Sequence, residues 1–437
     1  MLKELLTRSA WLTLGSALGR LLPLGVLVWT SRHFEPSQFA SASAGFAWAG
    51  VAMSLTSTAE ATVMTQRLGS QVDAMMRRGL YVRHASRALW LSVALAVVVC
   101  VAGPLGTRAL FGDTISVGVI VPAALSGVLW SQVAIGVAAL NGSHLARRAS
   151  ATLAMCGLLQ GTSMLLALTY FRSAEAMVWG LAAGSSLALV LAQWQVQTAF
   201  GPVLRDRKVT AAAVRTALGH IRLGVNPVLW TTLATVSVMP ATFFASSMIS
   251  RGDDGTRQLA QYFALEQVHQ VLVYVPAMLG QALLPLVSRK LGGFDDGRDH
   301  GLFLRRMAWV AAVAAMAGAA LALLIGWFPQ WLLLLLGNRS LDMQAAPAIR
   351  AMLVNASLAL SLSLLGGAFV GSGRIVVAAL LNLLWGCLVL TFTSTWSAQG
   401  NYGLQLARVL ASTSVIVLAC LLLLHYTRRS SRLTHTP

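Results

Sequence analysis

Acidic side chains are scarce in this chain: 14 Asp and Glu stand against 32 Lys and Arg in 437 residues, and charged residues of both signs make up only 11%. Apolar side chains reach 57% and the mean hydropathy is +0.71. That balance excludes an ordinary soluble domain, in which about 25% of residues are charged. Cysteine is equally sparse. Cys100, Cys156, Cys387 and Cys420 sit singly inside apolar segments with no CxxC pair, which excludes a disulfide framework and the usual zinc-ligand spacing. No GxxxxGK[ST] phosphate loop is present, so ATP is excluded as a direct energy source and no cofactor is expected. Met1 to Arg8 is short, mildly basic and without a small-residue cleavage site, so the first apolar segment is expected to be retained.

What is present is a succession of apolar runs. Segments of 18 or more residues predict twelve membrane spans: 10–31, 39–64, 86–107, 115–140, 149–171 and 176–199, then 222–249, 259–287, 307–336, 345–371, 375–397 and 403–425. The net charge of +18 and a pI near 11.3 come from arginines in the short connections, not from a folded basic domain, so no nucleic-acid partner is expected. If the N-terminus is cytoplasmic, 23 basic residues fall on its side and eight on the other, with Arg20 counted in neither. This asymmetry places both termini in the cytoplasm. The fold class expected is an all-α polytopic membrane protein of two six-helix halves, residues 1–200 and 222–437, joined by a basic cytoplasmic connector at 201–221 and ending in a short basic tail. The Arg67–Arg87 segment is read as a cytoplasmic loop.

Two features echo between the halves. Gln66-Arg67-Leu68-Gly69 closes the second span as Arg289-Lys290-Leu291-Gly292 closes the eighth, and ALNGSHLARRASATL (Ala139–Leu153) resembles AFVGSGRIVVAALL (Ala368–Leu381). Both halves begin on the same side, so the repeat is parallel, about an axis along the membrane normal.

Arg20 lies near the middle of the first span, one turn before Pro23. An arginine there costs about 2.5–3.5 kcal/mol on insertion scales, so it faces either a bundle interior or, by snorkelling, the cytoplasmic surface. The eighth span carries Tyr262, Glu266, His269, Gln270, Tyr274 and Gln281 at spacings of three or four, a polar stripe that belongs inside the bundle. Glu266 and His269, one turn apart, are placed to pair, to take up a proton or to bond sugar hydroxyls; locking helices together is the structural alternative. Glu60, inside the second span, is expected to neutralise Arg20. Arg350 and Arg408 each lie about a turn inside a span, where an anion-receiving and a loop-paired role are both open.

The loop RHFEPSQFA (Arg32–Ala40) resembles the R-x-L-G-P-x-x-F-G loop of bacterial polysaccharide transporters, the Wzx-type lipid-linked oligosaccharide flippases of the MATE-like superfamily. Arg32, Pro36 and Phe39 match; Phe34, Glu35 and Ala40 depart from the pattern. VMTQRLG (Val63–Gly69) and LLPLVSRKLG (Leu283–Gly292) are similar to the ends of that family's second and eighth helices. The resemblance implies a non-enzymatic, multi-pass protein of the bacterial inner membrane that flips an undecaprenyl-pyrophosphate-linked sugar unit, with membrane lipids around it and polysaccharide polymerase and export proteins as partners. On that reading the substrate contacts are Arg20, Glu60, Glu266, His269, Gln270, Arg350 and Arg408, with Arg20 offering a bidentate fork to the pyrophosphate. A MATE-like cation-coupled drug antiporter is the main alternative, and a membrane polymerase or ligase the other, disfavoured by the shortness of the loop Ser250–Gln258.

The topology is directly testable. A fluorescent protein fused at the C-terminus should fold and fluoresce, whereas alkaline phosphatase inserted in Ser250–Gln258 should be active; the reverse pattern would overturn the orientation.

Overall fold

The computed structural model describes residues 2–70, 74–111, 115–201, 227–252, 254–291, 297–330, 333, 343–372 and 374–433. Among these, the helices are α1 (Leu2–His33), α2 (Pro36–Met53), α3 (Ala59–Ser70), α4 (Ala74–Phe111), α5 (Ile120–Gly142), α6 (Ala146–Phe171), α7 (Ala174–Phe200), α8 (Pro227–Ile249), α9 (Gly255–Leu291), α10 (Gly297–Gly326), α11 (Ala346–Gly371), α12 (Ile375–Trp396) and α13 (Gly400–Leu433). A π-helical turn at Ser54–Thr58 joins α2 and α3 into one rod. No strand occurs among the described residues, as expected where backbone groups find no water and must be satisfied within the helix. Where the predicted spans fall on described residues they lie largely on these rods, while 222–226 and most of 331–336 lie outside the described residues. Eight stretches among the described residues are long and apolar enough to cross a bilayer, the last running through α12 and α13. The chain is a multi-pass membrane protein.

One expectation needs adjustment. The Arg67–Arg87 segment is largely helical: α3 runs to Ser70 and α4 begins at Ala74. Its Ala, Met, Leu and Arg residues are good helix formers, so the helix continues past the apolar stretch that the hydropathy marks. The connector 201–221 lies outside the described residues except for Gly201.

The halves repeat one packing scheme. In each, the first helix packs on the fifth, the second on the fourth, and the fourth also on the third and sixth, while the fifth meets the sixth. The first two rods of each half, α1 with α2–α3 and α8 with α9, also meet across the middle. At the end of the bundle near Phe34 a single apolar core bridges both halves, drawing in Phe39 and Phe111 from one and Phe243, Ile249 and Leu259 from the other. Phe243 meets Phe111 edge-on at 5.1 Å and Trp48 at 4.8 Å, and the Arg251 guanidinium donates to the Ala109 carbonyl at 2.7 Å.

The first–fifth contact is made backbone to backbone. Gly15 and Gly19 on α1 lie against the backbone of Ser150 and Leu153 on α6, while Gly157 and Gly161 on α6 lie against Gly19 and against Leu22 and Pro23 on α1. A Cβ on Gly157 would fall 1.7 Å from the Gly19 carbonyl oxygen. In the second half, a Cβ on Gly386 of α12 would fall 2.2 Å from the Ser237 carbonyl oxygen of α8. Lipid tails give apolar helices no reason to associate, so close backbone approach supplies the attraction instead.

Gly157→Val should therefore cost about 1–3 kcal/mol through overpacking, seen as a lower thermal midpoint in detergent. Gly79→Ala, where a Cβ meets nothing within 4 Å, should cause no loss.

Candidate functional site

A cavity of about 570 Å³ lies between the halves, walled by α1, α2, the π-helical turn, α3, α5, α6 and α7 on one side and by α8 and α9 on the other. The glycine contact decides which way α1 presents its arginine. With Gly15 and Gly19 pressed on α6, the adjoining stripe of Ser16, Arg20, Pro23, Leu24 and Leu27 turns to the cavity. Arg20 is exposed there. The opposite wall is α9, whose stripe is Tyr262, Glu266 and Gln270, flanked by Phe263 and Gln267. Tyr274 and Gln281, further along the predicted stripe, have side chains outside the described set. Arg20 and Glu266 are the charged groups among the described lining residues.

Behind Glu266 runs a buried polar chain through four helices. Arg408 Nη1 of α13 donates to Glu266 Oε2 at 2.6 Å, and Gln270 Nε2 donates to Oε1 at 2.7 Å. His269 Nδ1 lies 3.5 Å from Glu266 Oε1 and 3.4 Å from Arg408 Nη2. The imidazole's other nitrogen is 2.9 Å from Asn355 Nδ2 on α11. Asn355 Oδ1 then accepts from Ser412 Oγ at 3.0 Å, and Ser412 Oγ accepts from Trp385 Nε1 of α12 at 3.0 Å. A buried charge is tolerated only with a counter-charge and hydrogen bonds at hand, and Arg408 and Glu266 supply that to each other.

The predicted site residues thus separate. Arg20, Glu266 and Gln270 line the cavity. His269 and Arg408 stand behind its wall, one step removed. Arg350 is not among the lining residues: it is exposed at the end of α11, where its Nε donates to the Gly326 carbonyl at 3.0 Å. Glu60 also lies off the cavity, buried with its carboxylate hydrogen-bonded to His84 Nδ1 of α4. The expected Glu60–Arg20 pairing is therefore replaced by Glu60–His84, because Glu60 projects from the side of α3 that faces α4. His84 went unnoticed in the sequence, hidden in a basic segment read as loop; extending the helical period back from residue 88 would have placed it inside α4. No group of three or more metal-ligating side chains occurs among the described residues.

No protein-family model matches the chain and no curated protein matches it in sequence. Solved structures do match. A multidrug resistance MATE family transporter of the MOP superfamily, in its outward-facing conformation, aligns at 16% identity with TM-score 0.67, covering 100% of this chain and 97% of its own. A MOP superfamily transporter from Pyrococcus furiosus, described as having a binding pocket of reverse polarity that suggests a different function, aligns at 16% identity with TM-score 0.71 over 99% and 97%. The chain has the MATE fold. An inward-facing MATE conformation also aligns, at 15% identity and TM-score 0.65 over 95% and 96%. At such identities the likeness carries the architecture, while residue roles in this MATE-like chain rest on its own geometry.

The Arg408–Glu266 pair gives a direct check. Glu266→Gln strands a buried guanidinium and should destabilise by about 3–5 kcal/mol, whereas Glu266→Gln with Arg408→Met should recover most of that loss. Thermal midpoints of the two variants in detergent measure the difference.

Proposed function

We propose that this MATE-like chain is an alternating-access transporter, and that its cargo is an amphipathic anion: a pyrophosphate-linked oligosaccharide lipid flipped across the bacterial inner membrane. The observation that carries the reading is the distribution of charge on the two cavity walls. The wall carboxylate, Glu266, already has its counter-charge in Arg408, so no unmatched acid among the described lining residues awaits a cation. Arg20 presents a guanidinium from the facing wall, and such a group binds phosphate oxygens through paired, charge-assisted hydrogen bonds. The volume, about 570 Å³, is of the order used for small-ligand sites, roughly 300–1,000 Å³. Asn141, Gln160, Gln267 and Gln270 add side-chain amides suited to hydroxyl-rich sugars. The lipid tail remains among the surrounding membrane lipids. A polysaccharide polymerase and export proteins would act on the delivered unit.

Alternating access is supported by the alignment of this fold with both outward-facing and inward-facing transporters. A second reading, a multidrug antiporter, is favoured by the aromatic lining of Phe46, Trp130, Phe243 and Phe263. It requires Glu266 to leave Arg408 and take up a cation.

Flipping of an undecaprenyl-pyrophosphate-linked sugar in proteoliposomes decides between them. Arg20→Ala should weaken transport about 10- to 100-fold, the equivalent of one charged hydrogen-bonding partner, and Arg20→Lys should restore part of it. Unchanged flipping by Arg20→Ala, or saturable uptake of a lipophilic cation abolished by Glu266→Gln, would overturn the anionic cargo.

A further inference from the structure

The buried Glu60–His84 pair takes no part in the cavity just described, yet it stands two residues past the π-helical turn in the cavity wall. Glu60 is 1% exposed and His84 is fully buried. His84 Nδ1 faces the Glu60 carboxylate, while His84 Nε2 is buried with no hydrogen-bond partner. An N–H at that nitrogen would have no acceptor, so the proton the two groups share belongs on the Nδ1 side, between the ring and the carboxylate. The pair then carries one negative charge, and a single added proton, placed on the carboxylate, removes it.

The surroundings hold few other charges. From α4, Arg83 acts on Glu60 through space, and Arg87 of α4 and Arg67 of α3 in turn act on Arg83. Helices α2, α5 and α8 pack around α3 and the π-helical turn and contain no Asp, Glu, Lys, Arg or His in their described residues. Their nearby contributions are hydroxyls, such as Ser131, which shares a 2.7 Å hydrogen bond with Thr56. From α9 the described acid is Glu266, bound to Arg408.

The turn itself provides a means of transmitting the change. Thr58, Ala61, Thr62 and Thr65 line the cavity whereas Glu60 points to α4. A π turn holds one residue more than an α turn, and such turns recur at functional sites. Were Ser54–Thr58 to relax into α-helix, α3 would advance by about one residue, roughly 100° of rotation at 3.6 residues per turn. Glu60 would then occupy the direction that Ala61 holds now, facing the cavity.

We propose that Glu60, paired with His84, is a proton-binding site whose occupancy sets the register of α3 between the π-turned state, with Glu60 against α4, and an α-helical state, with Glu60 at the cavity. Protonation removes the charge that His84 Nδ1–H holds, freeing the side chain to swing; water in the cavity accepts the proton back. The proposal rests on the transport reading for its purpose, coupling a proton to the cycle, but not for its test, which needs no substrate.

Purified full-length protein in nanodiscs is titrated by infrared difference spectroscopy. Wild type should show a carboxylic acid band rising as pH falls, lost in Glu60→Gln, and His84→Gln should shift its midpoint by at least one pH unit, a tenfold change in proton affinity. In a background with the four native cysteines replaced, thiol labelling of Thr62→Cys from the cavity should fall as pH drops, because the advance carries residue 62 to the buried direction that Val63 holds now, and it should be low at every pH when Glu60→Gln is added. A band unaffected by Glu60→Gln, or labelling of Thr62→Cys that is constant with pH, would overturn the proposal. Neither outcome bears on whether Arg20 holds an anion, which the flipping assay reads separately.

Discussion

Arg408 and Glu266 share a 2.6 Å contact deep in the second half of the bundle, and much of that half is arranged around keeping it. Hydrocarbon offers neither side chain any other stabilisation, so each must find its counter-charge and its remaining hydrogen bonds in protein. The requirement draws Gln270 and His269 from α9, and through His269 it reaches Asn355, Ser412 and Trp385 on three further helices. One face of the same carboxylate looks into the cavity. The pair is therefore both a structural knot and a part of the wall, and a ligand that competed for either member would be felt throughout the second half.

The two halves share a packing scheme but spend their polar residues differently. The second half concentrates charge at the wall. The first half presents Arg20 and withdraws its acid, Glu60, to a contact with His84. Tight helix contacts through glycine in both halves, α1 on α6 and α8 on α12, hold these side chains in fixed directions. Near Phe34 the halves are joined by a continuous apolar core, so the cavity has a firm floor at that end.

Much of this was legible in the sequence. Long apolar runs marked every helical rod, because backbone satisfaction in lipid leaves few other structures. Arg20 and the polar stripe of the eighth span pointed into the bundle for the same reason. Depth along a helix, however, does not give azimuth. Glu60 and Arg20 were matched by depth, and the π-helical turn, which shifts α3 by a residue, sends Glu60 to α4 instead. Arg350 and Arg408 looked alike as arginines a turn inside a span; only packing distinguishes the one that reaches the carbonyl ending α10 from the one that reaches a carboxylate. The glycine pairs at 15 and 19 and at 157 and 161 carried a recognisable small-residue spacing that hydropathy alone does not register.

The backbone contact between α1 and α6 has a mechanical corollary. Since Gly19 and Gly157 leave no side chain between the two helices, α1 up to Pro23 has no room to slide or roll on its neighbour. Arg20 must travel with the first half as one body, just as Glu266 is tethered to the second through Arg408. The gap between guanidinium and carboxylate is then a built-in ruler for how far apart the two bodies stand.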